Sequence, residues 1–353
     1  MKRVIQWAVV AIGVVCMLVV ARDPEFWKGY ITGRVHGLDV PVSSYEPREL
    51  VEGDNRPPAP RVGPALEQLD VNALQAAADY AAKFDSDALI VTRHGHIVFE
   101  RYWHGTHFDS LVDSQSFVRT LNAVLIGVAI DQRRIGWADE PIGYLISELN
   151  HDARGTLTVR SLLQDSSGLD PGVDTQLLAT AIERATKQRY AEYLSVALWR
   201  RLGAANAWLW LDRPGGSAHA DCCLVAQQGD WLRLGELLAN DGRFEGDEIV
   251  APKWVIEMRA PTKGNPSYGS SLKVKPGRTA EAYASPDVFM VEARGHRMWM
   301  APSMSLVILR TGSTLGSAWD DSRIPNLIIR GARDYVPSQA RPGVNLRDLV
   351  PSH

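Results

Sequence analysis

The chain has 353 residues, 45% of them hydrophobic and 22% charged, enough to bury a full core in one large domain or two small ones. A formal net charge of −3 leaves no basic footprint of the kind that phosphate backbones select, which sets nucleic acid aside as a partner. Three cysteines, one in an apolar N-terminal run and two adjacent in the middle of the chain, make no disulfide framework.

Lys2 and Arg3 precede an uncharged run from Val4 to Ala21, closed by Arg22 and Asp23. The run is just long enough to span a bilayer, and its basic flank directs the rest of the chain across the membrane. Val19 and Ala21 would suit a cleavage site, but the run is longer than most signal cores, so residues 1–21 read as an uncleaved signal anchor. That places a single-pass protein in a bacterial inner membrane with its folded domain in the periplasm. Residues 22–68 carry seven prolines from Pro24 to Pro64 and little apolar periodicity, and read as an extended linker or wrap. The folded domain is expected over 69–335, and 336–353 as a tail.

Asp70 caps a helix in which Val71, Leu74, Ala78 and Ala81 mark one face. ALIVTRHGHIVFERYW then alternates on both sides of His94-Gly95, the pattern of an antiparallel hairpin with a tight turn. Ser116 opens a segment whose apolar residues Phe117, Leu121, Val124, Leu125 and Val128 are spaced as a buried helix face. Further helices are expected at 158–165, 173–186, 190–200, 229–240 and 252–259. Cys222 and Cys223 read as buried free thiols at a helix start, since a bridge between neighbours is strained. Strand-like runs return at Val288–Gly295 and Ser305–Gly312. Strands at both ends with helices between suggest an α/β (α+β) architecture: one antiparallel sheet assembled from N- and C-terminal segments, flanked by helices, with a helical region inserted.

The order of these features, with IDQRRIGWADEPIGYL, LTVRSLLQDSSGL, ERATKQRYAEYLSVALWRRLGA and GDWLRLGELLANDGRFEGDEIVAPKWV, resembles the serine β-lactamase and penicillin-recognising superfamily over about residues 70–312. The likeness is nearest to class C β-lactamases, related esterases and nylon-oligomer hydrolases. It implies a β-lactamase/transpeptidase-like fold, hydrolysis of amide or ester bonds in a small molecule or peptidoglycan fragment through an acyl-enzyme, and no cofactor or metal. In that family a helix-initiating serine attacks a carbonyl, and the lysine of S-x-x-K takes its proton. Residues three apart share a helical face, and the helix N-terminus offers amides to the oxyanion.

Measured against that pattern, this chain keeps the serine and changes its partners. Ser116-Phe117-Val118-Arg119 puts arginine in the lysine position, where a guanidinium stays protonated and cannot act as a base. Arg119 reads instead as partly buried and paired with a carboxylate such as Asp113 or Asp165. No tyrosine occurs between Tyr144 and Tyr190, so the family's tyrosine shuttle is missing from its usual place. In ARGHRMWMAPSMSLVI, Gly295 and His296 fit the third motif of the family, with His296 as a polar assistant, Gly295 and Trp299 as substrate-binding residues, and the usual Gly-Gln pair absent. The resemblance therefore implies a serine hydrolase with Ser116, Arg119 and His296 at its catalytic site, impaired in activity, or an inactive relative that binds peptidoglycan fragments or an envelope protein.

Ser116 itself also fits a plain N-cap role. His104 and His107 have His-x-x-His spacing but no evident third ligand. Ser270-Ser271-Leu272-Lys273 matches S-x-x-K formally, but PSYGSSLKVKPG reads as a turn and strand, where the spacing loses its helical meaning.

Overall fold

A computed structural model describes residues 45–335, apart from 263, 278–280 and 314, together with 17, 20–22, 24 and 27. In chain order the elements are β1 (Arg48–Val51), α1 (Val71–Ala81), β2 (Ser86–Arg93), β3 (His96–Tyr102), β4 (Leu111–Asp113), α2 (Phe117–Asp131), α3 (Ile142–Leu145) and α4 (Val159–Leu163). There follow α5 (Pro171–Thr186), α6 (Tyr190–Leu194, continued by a π-helical turn over Ser195–Trp199), β5 (Ala207–Trp210), β6 (Leu224–Gln227), α7 (Gln228–Ala239), β7 (Arg243–Phe244), β8 (Asp247–Glu248) and α8 (Pro252–Arg259). The last are β9 (Phe289–Glu292), β10 (Arg297–Ala301), β11 (Leu306–Gly312) and α9 (Arg323–Arg330).

The fold is of the α/β class, with antiparallel sheets flanked by helices, in the β-lactamase/transpeptidase-like arrangement. The main sheet has the order β3-β2-β11-β10-β9 and joins the early hairpin to the C-terminal strands. The hairpin turn puts both His94 (φ 49°) and Gly95 (φ 78°) in the left-handed region, as a two-residue turn matched to strand twist requires. One face of this sheet, with Leu89, Val91, Trp299 and Ile308, packs under α1 and α9. The other face, with Ile90, Met298, Met300 and Leu309, packs against α2 and α7. Asp70 caps α1 as expected, accepting from the Asn72 amide at 2.7 Å. The face of α1 shifts slightly: Val71 is exposed, and Ala77 joins Leu74, Ala78 and Ala81 in the core.

Within its layer α2 is enclosed, with every residue from Phe117 to Ala129 buried. Gly127 lets the Trp254 indole of α8 lie against it, where an added Cβ would stand 2.2 Å from the ring. Trp254 Nε1 also donates to Ala123 O at 2.8 Å.

A second sheet, β1-β5-β6-β4, was not evident in the sequence. It makes residues 45–68 part of the fold rather than a tether. β1 pairs along its length with β5, and Tyr45 stacks on Trp210 with ring centroids 4.8 Å apart. Burial of Tyr45 and Val51 is what holds this proline-rich stretch down. Cys222 and Cys223 are also corrected: they precede β6 instead of starting a helix, and their sulfurs are bonded to each other. There the chain turns tightly enough for the Leu224 amide to reach Cys222 O at 3.2 Å. Of the expected anchor over 1–21, all but Met17, Val20 and Ala21 lie outside the described residues, as does the whole of the tail 336–353. Among the described residues no helix is long and apolar enough to cross a membrane.

Candidate active site

The second sheet serves α2. β4 pairs with β6 through Asp113, opposite Val225, and the chain is then clamped twice before the helix begins. Ser114 Oγ donates to Cys222 O and accepts from the Leu224 amide at 3.1 Å. Gln115, at φ 45°, accepts from the Gly295 amide through Oε1 at 3.3 Å. Ser116 follows with helical torsions, φ −73° and ψ −2°, and its side chain makes no capping bond. The N-cap role is thereby excluded for its hydroxyl. Ser116 is exposed and lines a cavity of about 1670 Å³. Among the described residues neither its hydroxyl nor its amide donates a hydrogen bond, so both face the cavity unengaged.

Arg119, one turn on, is 8% exposed. Its guanidinium pairs with Asp165 and donates to Leu162 O at 3.2 Å, leaving Nε without a partner. The other carboxylate considered for it, Asp113, instead accepts from Tyr45 Oη at 2.9 Å; burial raises its carboxyl above the usual range. Behind Arg119, Asp174 on α5 is fully buried and accepts from Ser167 Oγ through both oxygens, at 2.7 and 2.8 Å. Burial raises the Asp174 carboxyl, while Ser167 and Arg119 pull it down. α5 starts at Pro171, two residues after Leu169, with Asp170 as its cap, so the chain has no room there for a tyrosine-bearing loop.

The opposite wall comes from the segment around Tyr268 and Lys273, in which the S-x-x-K match lies outside a helix. Tyr268 and Lys273 face each other across an isolated antiparallel bridge, and Lys273 bridges on to Met290 of β9. Both line the cavity. Thr120 Oγ1 of α2 reaches Ser271 O at 3.1 Å and ties this wall to the helix. Where a turn and strand were expected around Ser270 to Lys273, the chain makes turns and isolated bridges with no strand, Ser271 standing at φ 64°, and Ser271 and Lys273 share the cavity with Ser116. Burial pushes the Tyr268 phenol up to about 12, with Arg119 acting the other way and Asp165 and Glu292 adding to the rise. Lys273 Nζ is paired with Glu292.

The third motif is placed differently from its expected role. His296 is 5% exposed and is not among the residues lining the cavity. Its Nδ1 accepts from the Gly312 amide at 3.2 Å, and its ring also bonds the Asp113 backbone. Burial, then Arg310, lowers it to about 3, so the ring is a neutral strut between β11 and the strand that leads to Ser116. Gly295 marks a close approach, where a Cβ would stand 2.1 Å from Gly312 O. Trp299 points to the other face of the sheet, 6.4 Å from Trp319, because β10 alternates and Met298 and Met300 take the face toward α2. Neither Gly295 nor Trp299 lines the cavity. From that end of the sheet it is Ala293, Arg294 and Arg297 that do.

His104 lies in the loop after β3, bonded to Asp87 at 3.0 Å, and neither it nor His107 lines the cavity. Among the described residues no group of three or more His, Cys, Asp or Glu side chains could hold a metal ion.

Residues 71–264 match the model of the Beta-lactamase family. Over 89 residues, 25% of this chain, the sequence is 34% identical to 6-aminohexanoate-dimer hydrolase of Paenarthrobacter ureafaciens. The chain spans 22% of the length of that relative. A Bacillus anthracis structure named for 6-aminohexanoate-dimer hydrolase aligns with a TM-score of 0.64 and 18% identity, covering 82% of this chain and 92% of its own. A penicillin-binding protein homologue from Caulobacter crescentus gives 0.57 and 13%, covering 74% and 97%. A class C beta-lactamase from Rhodobacter sphaeroides gives 0.55 and 14%, covering 73% and 99%. At these identities the likeness to solved structures is one of fold.

Proposed function

The chain belongs to the beta-lactamase family, and from that premise we propose that it is a serine hydrolase in which Ser116 accepts an acyl group from a small amide or ester, at a rate held down by Arg119. One observation carries the reading: an exposed serine with an unengaged hydroxyl and amide stands on the cavity at the head of a buried helix. Attack by Ser116 Oγ on a carbonyl carbon forms the C–O bond and moves charge onto the carbonyl oxygen. The free Ser116 amide at the helix N-terminus is a donor for that oxygen. Collapse expels the amine or alcohol, and water later releases the acid.

The unaided step is loss of the serine proton. Arg119 cannot take it, Tyr268 keeps its own proton at neutral pH, and Lys273 is held by Glu292. The proton therefore passes to solvent or to the leaving group, and acylation is slow. General-base help is commonly worth about 10²–10⁴-fold. With Val4–Ala21 as an uncleaved anchor, this cavity would stand on the periplasmic face of the inner membrane, within reach of peptidoglycan fragments.

The test is labelling with a fluorophosphonate and turnover of a chromogenic ester by wild type and Ser116→Ala. A single adduct on Ser116 and loss of turnover in the variant are expected. Equal turnover by both proteins would sink the proposal, and stabilisation by a cell-wall fragment without any adduct would favour an inactive binder in its place.

A further inference from the structure

A second cavity, of about 420 Å³, shares no lining residue with the one at Ser116. It lies between the proline-rich segment before α1, the turn of the β2–β3 hairpin and α7. Its outer wall is fixed in place by backbone bonds: Ile97 N donates to Pro60 O at 2.9 Å, and Val62 N to Ile97 O at 3.0 Å. Arg233 completes the wall. It donates to Arg56 O and Pro57 O at 3.0 and 2.7 Å, and to Leu202 O at 2.9 Å, which commits its guanidinium to backbone.

Pro58, Phe108, Leu232 and Phe244 give this cavity an apolar lining. Arg61 already lies over the Phe108 ring at 5.0 Å, and Arg233 over Phe244 at 6.0 Å, so these rings serve as apolar walls. Glu236 is one of several polar lining residues, with Thr92, His94, Arg233 and Glu245. It projects from α7 among these residues and takes part in no ion pair among the described residues. Burial pushes its carboxyl up, pulled back mainly by Thr92 and Arg233. The other acidic lining residue, Glu245, is paired with Arg56 at 2.9 Å. Thr92 also lines the cavity, is 1% exposed, and its hydroxyl stands beside the Glu236 carboxylate, whose rise it opposes. A carboxylate with no ion-pair partner in a partly apolar chamber is costly on its own. A cation with N–H donors, attached to an apolar stem, supplies the counter-charge and fills the rest.

We infer that this second cavity binds a small molecule carrying an ammonium group on an apolar stem, with Glu236 as counter-ion, Thr92 as acceptor and the proline wall closing over the stem. The volume is at the small end of ligand clefts, which run from about 300 to 1,000 Å³. This site is independent of the chemistry proposed for Ser116.

Hexylammonium and 1-hexanol have the same stem and differ in the head group, so titration calorimetry with both on the intact protein isolates the role of the carboxylate. Hexylammonium should bind at least about tenfold tighter than hexanol, an increment in the range of a single desolvated charge pair, and Glu236→Gln should bring the two together. Equal affinities on the wild type, or amine binding untouched by a folded Glu236→Gln, overturn the inference. If Glu236→Gln does not fold, Leu232→Trp, which fills the chamber from its apolar side, decides: loss of amine binding with a native melt supports the site, and retained binding refutes it.

Discussion

Ser116 is exposed because the two residues before it are held. Ser114 is bonded into the turn before β6 and Gln115 to Gly295, so the hydroxyl that could have capped the helix is turned to the cavity instead. Ser116→Ala should therefore leave the urea midpoint almost unmoved, within about 0.5 kcal/mol, whereas loss of a working cap costs about 1 kcal/mol. His296 allows a second prediction. Its pKa is lowered to about 3 in the fold by burial and by Arg310, against about 6.5 in an unfolded chain. Between those values the unfolded state binds the extra proton, so this residue's contribution to stability is complete above pH 6.5 and is lost as pH falls toward 3. The slope is at most about 1.4 kcal/mol per pH unit, and His296→Gln should flatten that part of the stability curve measured from pH 4 to 6.5. An unchanged slope in the variant would place a charged imidazole in the fold. At this scale helical spacing puts Arg119 one turn from Ser116, while the sequence leaves its carboxylate partner open between Asp113 and Asp165; the fold pairs it with Asp165. Tyr268 and Lys273 reach the cavity from a loop some 150 positions away in sequence, where Tyr268 has no pattern to announce it and the S-x-x-K match ending at Lys273 has no helix to give it meaning. The family likeness also drew in His296 and Trp299, whose placement depends on strand alternation and on backbone bonds that no motif records.

Among the elements, α2 is the piece on which the cavity depends. It is buried on all sides, and its contact with α8 requires a residue without a side chain at Gly127. Gly127→Ala would gain helix propensity of up to about 1 kcal/mol but would drive a methyl into the Trp254 indole. Overpacking of this kind costs about 1–3 kcal/mol, and the close approach predicts a net loss, read as a lower urea midpoint. A rise would mean that the indole moves aside freely. The longer helices before residue 260 were legible because each carries an apolar stripe at helical period, as Leu74, Ala78 and Ala81 do in α1, whereas the short α3 and the C-terminal α9 were not anticipated. The second sheet was not. β5 is AWLW and β6 is LVAQ, too short and too evenly buried to alternate; in the main sheet β10, RMWMA with both faces covered, escaped notice for the same reason. Short apolar runs of this kind do not distinguish strand from buried helix by period.

At the scale of the molecule, two sheets share one helical layer, and the proline-rich segment is built into the smaller of them. A chain started at residue 69 would lose β1, the Tyr45–Trp210 stack and the Tyr45–Asp113 bond, whereas one started at 44 keeps them. The longer chain should melt in a single cooperative transition, and the shorter should melt lower and more broadly by circular dichroism. Equal melts would make the segment dispensable after all. The same arrangement closes the second cavity with prolines and holds β4 against β6, so the described part of the wrap bears on both cavities.

Arg119 occupies the place of a base, is paired to Asp165 and cannot accept a proton. Single-turnover acylation followed by intact-protein mass spectrometry, with wild type, Arg119→Lys and Ser116→Ala/Arg119→Lys, tests this most directly. A lysine at 119 lies on the same helical face as Ser116, three residues away, and should raise the rate of adduct formation at least about tenfold, with no adduct in the double variant. A folded Arg119→Lys protein that acylates no faster than wild type would contradict the claim that the arginine is what holds this site back.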